Sequence, residues 1–345
     1  MRAGAPDRPP ARGRPAGARS LLRRARLGPA LAAAALAGRR RPLFVGWSLT
    51  DRCTEACAYC GRHDRGSPEL PRARALGLVD EFRAAGVARV SLTGGEPLLH
   101  RPCLDLIEAL RRAGIAVSLN SNGALVPRHL ERLTGSLSGL VLSVDGGEAA
   151  HDAVRGTGSW RRAVAGARVA RRVGIPLSLH MVITAANLDQ ISPVLGLAGE
   201  LDARVGFTPI EDVPAMGRRD LSDLRPDPAR WRALVDELLS RLREGDRRIQ
   251  NSAAGLRYLR HWPVHAPTRC SAGRVYARIE PDGSLYGCGN LVLEGDAPTV
   301  ADRPFAAAFA ALPRQDCRAC WCDTRVEMNL ILGGSPSAIR AAWAR

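Results

Sequence analysis

The chain has 345 residues, 46% of them hydrophobic, which suffices for two domains or one large barrel around an extensive core and excludes a protein that is disordered throughout. The formal net charge is +16, but residues 1–41 hold eleven arginines and one acid, Asp7, so the charge of the whole chain does not indicate a nucleic-acid-binding body. All 50 basic residues are arginine, which excludes lysine Schiff-base chemistry.

Residues 1–41 are rich in Arg, Ala and Pro and are predicted to form a disordered tail. Their apolar stretch, Leu27–Ala37, has eleven residues, whereas a membrane-spanning helix needs about 20, and Arg39 follows it closely. The composition therefore favours neither a signal peptide nor a transmembrane segment, and we expect a cytoplasmic protein.

From Pro42 onward, short apolar runs alternate with amphipathic stretches. Strands are predicted at Leu43–Leu49, Ala88–Leu92, Ile115–Leu119, Gly139–Ser143, Pro176–Ile183 and Arg204–Pro209. Helices are predicted at Pro68–Ala85, Leu104–Ala113, Pro127–Leu133, Trp160–Val173 and Leu188–Glu200. Such βα-type units joined by short loops indicate an α/β fold with a parallel sheet, either an open wound sheet or a partial barrel, with functional groups at the carboxyl ends of the strands.

The pattern changes after Asp212, where prolines interrupt it. An amphipathic helix follows at Ala229–Arg243, and Arg274–Leu285 is predicted to be a hairpin that turns at Pro281-Asp282-Gly283. We expect a tail at 1–41, a core barrel at 42–225, a linker helix region at 226–264, a small second domain at 265–332 and a C-terminal helix or tail at 333–345.

The nine cysteines fall into clusters, which favours metal binding over the disulfide framework of a short secreted protein. Cys53, Cys57 and Cys60 form a CxxxCxxC motif directly after the first predicted strand. Thiolates suit iron–sulfur clusters or zinc, and three ligands on a four-iron cluster leave one iron free to bind a small molecule. Zinc is the alternative, although structural zinc usually takes four ligands in CxxC pairs.

Three further motifs follow the next predicted strands in order: Thr93-Gly94-Gly95-Glu96-Pro97, Asn120-Ser121-Asn122-Gly123 and Ser143-Val144-Asp145-Gly146. Paired glycines let a ligand approach the backbone, and a glutamate offers an acceptor for an ammonium group. Together with CxxxCxxC and the aromatic Tyr59 before its last cysteine, these motifs resemble those of the radical S-adenosylmethionine (radical SAM) enzymes.

The resemblance implies a partial (β/α)6 TIM-like barrel in which Cys53, Cys57 and Cys60 hold a 4Fe-4S cluster whose remaining iron chelates SAM. An electron from a donor such as flavodoxin or ferredoxin would cleave SAM to a 5′-deoxyadenosyl radical that abstracts hydrogen from a substrate. The positions implied to contact SAM are Tyr59, Gly94, Gly95, Glu96, Asn120, Ser143 and Asp145.

A second set of cysteines lies near the C-terminal end: Cys270, Cys288, Cys317, Cys320 and Cys322. The spacing CX12GX4C followed by CxxC resembles the SPASM and Twitch domains that follow many radical SAM barrels. Five cysteines match the shorter Twitch form better, with one auxiliary 4Fe-4S cluster and a hairpin-plus-helix fold. The resemblance leaves open whether Cys320 or Cys322 is the ligand, and a closed zinc site is the alternative from spacing alone.

The expected function is a radical SAM enzyme that acts on a small molecule such as a sugar, an aminocyclitol or another natural product. A maturase of a ribosomally made peptide ranks second, because the 41-residue tail is too short and too polar for a leader-binding domain. The alternative from another class is a zinc-stapled, non-catalytic nucleic-acid-binding protein; the enzyme hypothesis expects no stable nucleic-acid binding. Candidates for substrate chemistry are His180 in the fifth strand, Glu211 and Asp212 after the sixth, and the thiol of Cys322.

Overall fold

The computed structural model describes residues 40–211, 217, 220–264, 266, 268–292, 296–314, 317 and 320–343. The expected tail, apart from Arg40 and Arg41, and the candidate Asp212 lie outside these residues. The strands within them are β1 (Phe44–Ser48), β2 (Arg89–Thr93), β3 (Ala116–Ser121), β4 (Gly139–Ser143), β5 (Leu177–Ile183), β6 (Arg204–Pro209), β7 (Tyr276–Ile279) and β8 (Leu285–Tyr286).

All eight of these strands belong to one sheet in the order β6-β5-β4-β3-β2-β1-β7-β8, in which only the β7–β8 pair is antiparallel. Strands β1 to β6 stand in chain order, whereas the strand order of an open wound sheet reverses near its middle. The partial (β/α)6 barrel is therefore confirmed, and the open wound sheet is not the fold. Each of the six predicted strands lies within two residues of its observed bounds.

The helices of the same described ranges are α1 (Arg72–Ala85), α2 (Cys103–Arg112), α3 (Leu130–Leu133), α4 (Glu148–Arg155), α5 (Ser159–Arg172), α6 (Ile191–Glu200), α7 (Pro228–Arg243), α8 (Ala253–Leu259), α9 (Phe305–Ala311), α10 (Asp323–Leu332) and α11 (Pro336–Trp343). The predicted first helix was placed too early: it begins at Arg72, because Pro71 precedes it in an extended conformation. Helix α4 is not among the predicted helices, whereas α8, α9 and α10 lie in segments where helix is expected but no bounds are predicted.

The C-terminal hairpin is confirmed, and its first strand joins the barrel sheet. Strand β7 pairs in parallel with β1, so that Phe44 lies opposite Tyr276. Helix α9 also packs on the barrel. The centroid of the Phe82 ring, on α1, lies 5.7 Å from that of Trp47 and 4.8 Å from that of Phe305, and both ring pairs pack edge to face. Such pairs add about 0.5–1.5 kcal/mol each to area burial, so this C-terminal segment contributes to the core of the barrel.

Side chains alternate along the barrel strands between a buried outer face and an open interior. Outward residues such as Val90 and Leu92 are fully buried beneath the helices. Many of the inward positions are small or polar, among them Gly46, Ser91, Ser118, Asn120, Ser143, Ser178 and His180. Since bulky residues fill the interior of a closed TIM barrel, these small residues leave a cavity of about 2620 Å³.

Within the ranges that the structure describes, no helix has both the length and the apolar character that crossing a membrane requires.

Candidate active site

The cavity brings together the two sets of cysteines that the sequence separates by some 200 residues. The first set, Cys53, Cys57 and Cys60, lines it through the loop after β1. The other predicted site residues that line it are Tyr59, Gly94, Gly95, Asn120, Ser143, His180, Glu211, Cys288, Cys320 and Cys322. The whole first set and three cysteines of the second therefore face one interior space, whereas Cys270 and Cys317 do not line it.

The loop after β1 fits an iron–sulfur cluster by the chemistry of its donors. Its three thiols are half-buried and form no disulfide. Burial raises the pKa of Cys57 to about 12, so the bare thiol is neutral until a metal displaces its proton. Glu55, in the same loop, has a buried Oε1 that accepts no hydrogen bond from the residues the structure describes, which leaves an acceptor for a ligand. Among the described residues, no group of three or more His, Cys, Asp or Glu side chains is placed so that it could hold a single metal ion.

Two glycines hold the loops after β1 and β2 in backbone contact. The Gly95 N–H donates to Thr50 O at 2.8 Å, and the Glu96 N–H donates to Arg52 O at 2.8 Å. A Cβ atom on Gly95 would lie 2.6 Å from the carbonyl oxygen of Asp51. Only glycine permits this approach, so the paired glycines fix one motif loop against the other.

Glu96 does not line the cavity, and its expected contact with a ligand ammonium stays a prediction. Its Oε2 accepts from the Ser121 hydroxyl at 2.9 Å and from the Asn122 N–H at 3.0 Å, and its Oε1 accepts from the Leu98 N–H at 3.1 Å. Burial raises its pKa to about 7. Glu96 thus joins the motif loops that follow β2 and β3.

Asp145 likewise does not line the cavity, and its expected contact with SAM stays a prediction. It is fully buried, and its Oδ1 accepts from the Val182 N–H at 2.9 Å. Its Oδ2 accepts from the Tyr59 hydroxyl at 2.8 Å and from Arg155 Nε at 2.5 Å. With both oxygens engaged, Asp145 orients Tyr59 and Arg155, and these two side chains do line the cavity.

Arg155, at the end of α4, is a site residue that the sequence analysis missed. Its Nη1 lies 3.8 Å from Cys57 Sγ and 3.7 Å from Glu55 Oε2, and its side chain is 8% exposed. It places a fixed positive charge beside the cluster loop, suited to a thiolate or a ligand carboxylate. With 50 arginines in the chain, no local signal distinguished this one.

Three cysteines of the second set lie near a half-buried arginine, Arg325. Burial and, more weakly, the thiols of Cys270 and Cys317 raise the pKa of Cys288 to about 11, which places these three side chains in one neighbourhood. The Arg325 guanidinium lies 3.3 Å from the centroid of the Tyr276 ring, and it interacts electrostatically with Cys288, Cys320 and Cys322. Three thiols beside a fixed cation, with Cys270 and Cys317 near Cys288, fit an anionic cluster. Cys320 and Cys322 both line the cavity, so the choice between them stays open.

The remaining candidates connect the second set of cysteines to the barrel. Glu211 Oε1 accepts from the Trp321 N–H at 2.8 Å, which makes this carboxylate a support for the Cys320–Cys322 segment. His180 Nε2 lies 3.4 Å from Asp323 Oδ1, beside the space left by Gly206. Burial alone would lower the pKa of His180, but the charge of Asp323 and its hydrogen bond outweigh this and raise it. His180 is therefore a cavity imidazole with a carboxylate partner.

Comparisons with known proteins agree with this geometry. The model of the Radical SAM superfamily matches residues 47–198, from β1 to α6. The chain is 28% identical over 273 residues to the mycofactocin maturase MftC of Mycolicibacterium smegmatis, covering 74% of this chain and 68% of that protein. It is 32% identical over 169 residues to the PqqA peptide cyclase of Gluconobacter oxydans, and the match covers 47% of each chain. It is 28% identical over 288 residues to the AdoMet-dependent heme synthase of Methanosarcina barkeri, and that match covers 76% of this chain and 81% of the synthase.

Among solved structures, Streptococcus suis SuiB shares the fold, with a TM-score of 0.65 at 17% identity over 84% of this chain and 70% of that chain. The chain spans between 64% and 73% of the mycofactocin maturases that it matches.

The relatives contradict the expected sugar, aminocyclitol or similar small-molecule substrate. PqqA peptide cyclase is named for a peptide, and SuiB has been solved with its precursor peptide SuiA. The expectation rested on the short tail, a feature that says nothing about the cavity in which a substrate would lie.

The family match begins in β1, just before the CxxxCxxC loop, and runs through every strand whose end carries one of the four motifs. The cofactors of that family, a 4Fe-4S cluster and SAM, suit the thiols and glycines found there, and an auxiliary cluster suits the second set of cysteines. The chain is thus an enzyme that belongs to the radical SAM superfamily.

Proposed function

We propose that this enzyme matures a ribosomally made peptide. The observation that carries the proposal is its similarity to the mycofactocin maturase and the PqqA peptide cyclase. The fold is also one that binds a precursor peptide in SuiB. A cavity of about 2620 Å³ has room for SAM and for several residues of a peptide.

The residues of this chain would divide the work between holding cofactors and orienting the peptide. Cys53, Cys57 and Cys60 would hold the first cluster, which supplies reductive SAM cleavage and hydrogen abstraction when it is loaded. Tyr59 and the paired glycines, on neighbouring loops, would hold SAM against that cluster. The small inward residues leave room for bulky peptide side chains. The polar side chains that line the cavity would therefore position the peptide.

The second set of cysteines would hold one auxiliary cluster, at 265–332, beside the barrel core at 42–225. Its place on the same cavity puts it close to a bound peptide. His180, paired with Asp323, would bind or deprotonate a peptide group near it. An electron donor such as flavodoxin or ferredoxin and a cytoplasmic location complete the proposal.

The test is conversion of a candidate precursor peptide by anaerobically reconstituted enzyme with dithionite and SAM. We expect a mass change in the peptide and formation of 5′-deoxyadenosine. Cys57→Ala should abolish both, whereas Cys320→Ala together with Cys317→Ala should retain 5′-deoxyadenosine but lose the peptide product. Conversion of a heme precursor, with every peptide left unchanged, would overturn the proposal.

A further inference from the structure

We propose that Glu280, on the turn between β7 and β8, is a positioning residue for the first cluster and acts on the Cys53–Cys60 loop through Arg62. The proposal concerns the cluster loop alone and holds whichever substrate the enzyme takes. It gives the C-terminal segment a second task besides carrying its own cysteines.

The two ends of the cluster loop meet in one buried ion pair. Asp51 stands two residues before Cys53, and Arg62 stands two residues after Cys60. Arg62 Nη1 donates to Asp51 Oδ1 at 2.5 Å, and these side chains are 1% and 3% exposed. Because both ends of the loop are joined in this pair, its geometry sets the separation of the outer cysteines.

Glu280 is the second partner of Arg62. Arg62 Nη2 donates to Glu280 Oε2 at 2.9 Å, and Glu280 is 2% exposed. Arg278 Nε donates to Glu280 Oε1 at 2.5 Å, and Arg65 Nη1 lies 3.3 Å from Oε2. Burial alone would raise the pKa of Glu280, but Arg278 and Arg62 hold it below its ordinary value. The carboxylate is therefore charged and fixed on several sides.

The charges of this buried ion network depend on Glu280. Its members are Asp51, Arg62, Arg65, Arg278 and Glu280. Neutralising Glu280 removes the charged partner that Arg62, Arg65 and Arg278 share, and losing it is costly for Arg62, whose side chain is 1% exposed. Arg62 is then expected to shift, and Cys60, two residues away, to shift with it.

The experiment compares Glu280→Gln with the wild type as anaerobically reconstituted holoenzyme, with no substrate present. The readouts are the EPR spectrum of the reduced protein with and without SAM, and the rate at which a chelator removes the SAM-sensitive signal. We expect that signal to be lost about tenfold faster, as for other groups that support metal ligands, with a smaller SAM-induced spectral change. The SAM-insensitive signal should change less, because Glu280 reaches the second set of cysteines only through Arg278, which interacts electrostatically with Cys288.

Glu81→Gln is the matched control. Glu81 also ties the C-terminal segment to the barrel, since Oε2 accepts from the Phe305 N–H at 2.5 Å, but it lies on α1 and has no contact with the buried ion network. It should lower the thermal midpoint and leave the EPR readouts unchanged. Glu280→Asp, which keeps the charge, should give a smaller shift in the same direction and serves if Glu280→Gln does not fold. Unchanged chelation and spectra in the folded Glu280 variant would overturn the proposal.

Discussion

His151 on α4 is a buried neutral histidine that makes stability depend on pH. Its Nδ1 accepts from the Asp145 N–H at 3.1 Å, and its Nε2 finds no partner among the described residues. Burial, with the nearby charge of Arg155, lowers its pKa to about 4. In the unfolded chain this histidine takes up a proton near pH 6.5, whereas in the folded protein it does so only near pH 4. The stability contribution of neutral His151 is therefore lost as the pH falls from about 6.5 towards 4.

We expect His151→Asn to flatten this dependence, because the amide oxygen replaces the acceptor at Nδ1 and does not titrate. The wild type should lose up to about 3 kcal/mol more than the variant between pH 7 and pH 4. Thermal midpoints of the two proteins, measured anaerobically across this range, check the prediction. Parallel curves would show that His151 titrates no differently in the folded and unfolded chains.

Gly95→Ala should separate the loops after β1 and β2. The added Cβ meets backbone carbonyl groups of Asp51 and Arg52, which cannot rotate away, so we expect a loss of about 1–3 kcal/mol in stability. SAM affinity, measured by equilibrium dialysis of the holoenzyme, should fall with it. Gly77→Ala, in α1 with only the tip of Arg74 within 4 Å, is the control and should be neutral or slightly stabilising. Equal behaviour of the two variants would contradict the role given to Gly95.

At the scale of residues, the sequence predicts which side chains bear chemistry better than where they point. The cysteines and paired glycines could be placed because few other residues substitute for them chemically or sterically. Glu96 and Asp145 also follow strands, but their carboxylates are buried against Asn122, from another motif, and Arg155, from α4. No local pattern encodes those partners.

At the scale of elements, the segment that carries Cys320 and Cys322 is held at the end of β6. The Thr208 hydroxyl donates to Trp321 O at 3.0 Å and accepts from the Asp323 N–H at 3.4 Å. Thr208→Val keeps the side-chain volume and removes both hydrogen bonds, each of which contributes about 1 kcal/mol to the free energy of unfolding. We expect the auxiliary cluster to lose iron to a chelator several-fold faster, while the SAM-sensitive EPR signal persists.

Thr134→Val is the control for that substitution, since the Thr134 hydroxyl donates to Leu130 O at the exposed end of α3, away from both sets of cysteines. It should leave the iron release of both clusters as in the wild type. Equal iron release in the Thr208 and Thr134 variants would show that the contact with β6 does not hold the auxiliary segment.

The elements of the barrel were predictable because apolar runs bounded by turn residues fix strands locally, and all six lie close to their predicted bounds. Helix α4 was missed because Gly146 and Gly147 precede it and indicate a loop. This short helix carries His151 and Arg155, two residues that stabilise the site, and the local sequence pattern does not predict it.

At the scale of the whole molecule, the pairing of β7 with β1 joins residues more than 200 positions apart. Such a contact follows from tertiary packing and leaves no trace in local periodicity. The sequence therefore predicts the hairpin but not its place in the sheet, nor the network through which Glu280 reaches the cluster loop. The sequence also does not predict the substrate class, because small residues on the inner face of the strands indicate a cavity but not the molecule that occupies it.

The central claim is that a radical formed in this cavity takes hydrogen from a peptide. The direct measurement uses a precursor peptide deuterated at its carbon-bound positions, with reconstituted enzyme, SAM and dithionite, and follows deuterium in 5′-deoxyadenosine by mass spectrometry. We expect 5′-deoxyadenosine that carries deuterium from the peptide. Abundant 5′-deoxyadenosine without deuterium, together with an unmodified peptide, would contradict it.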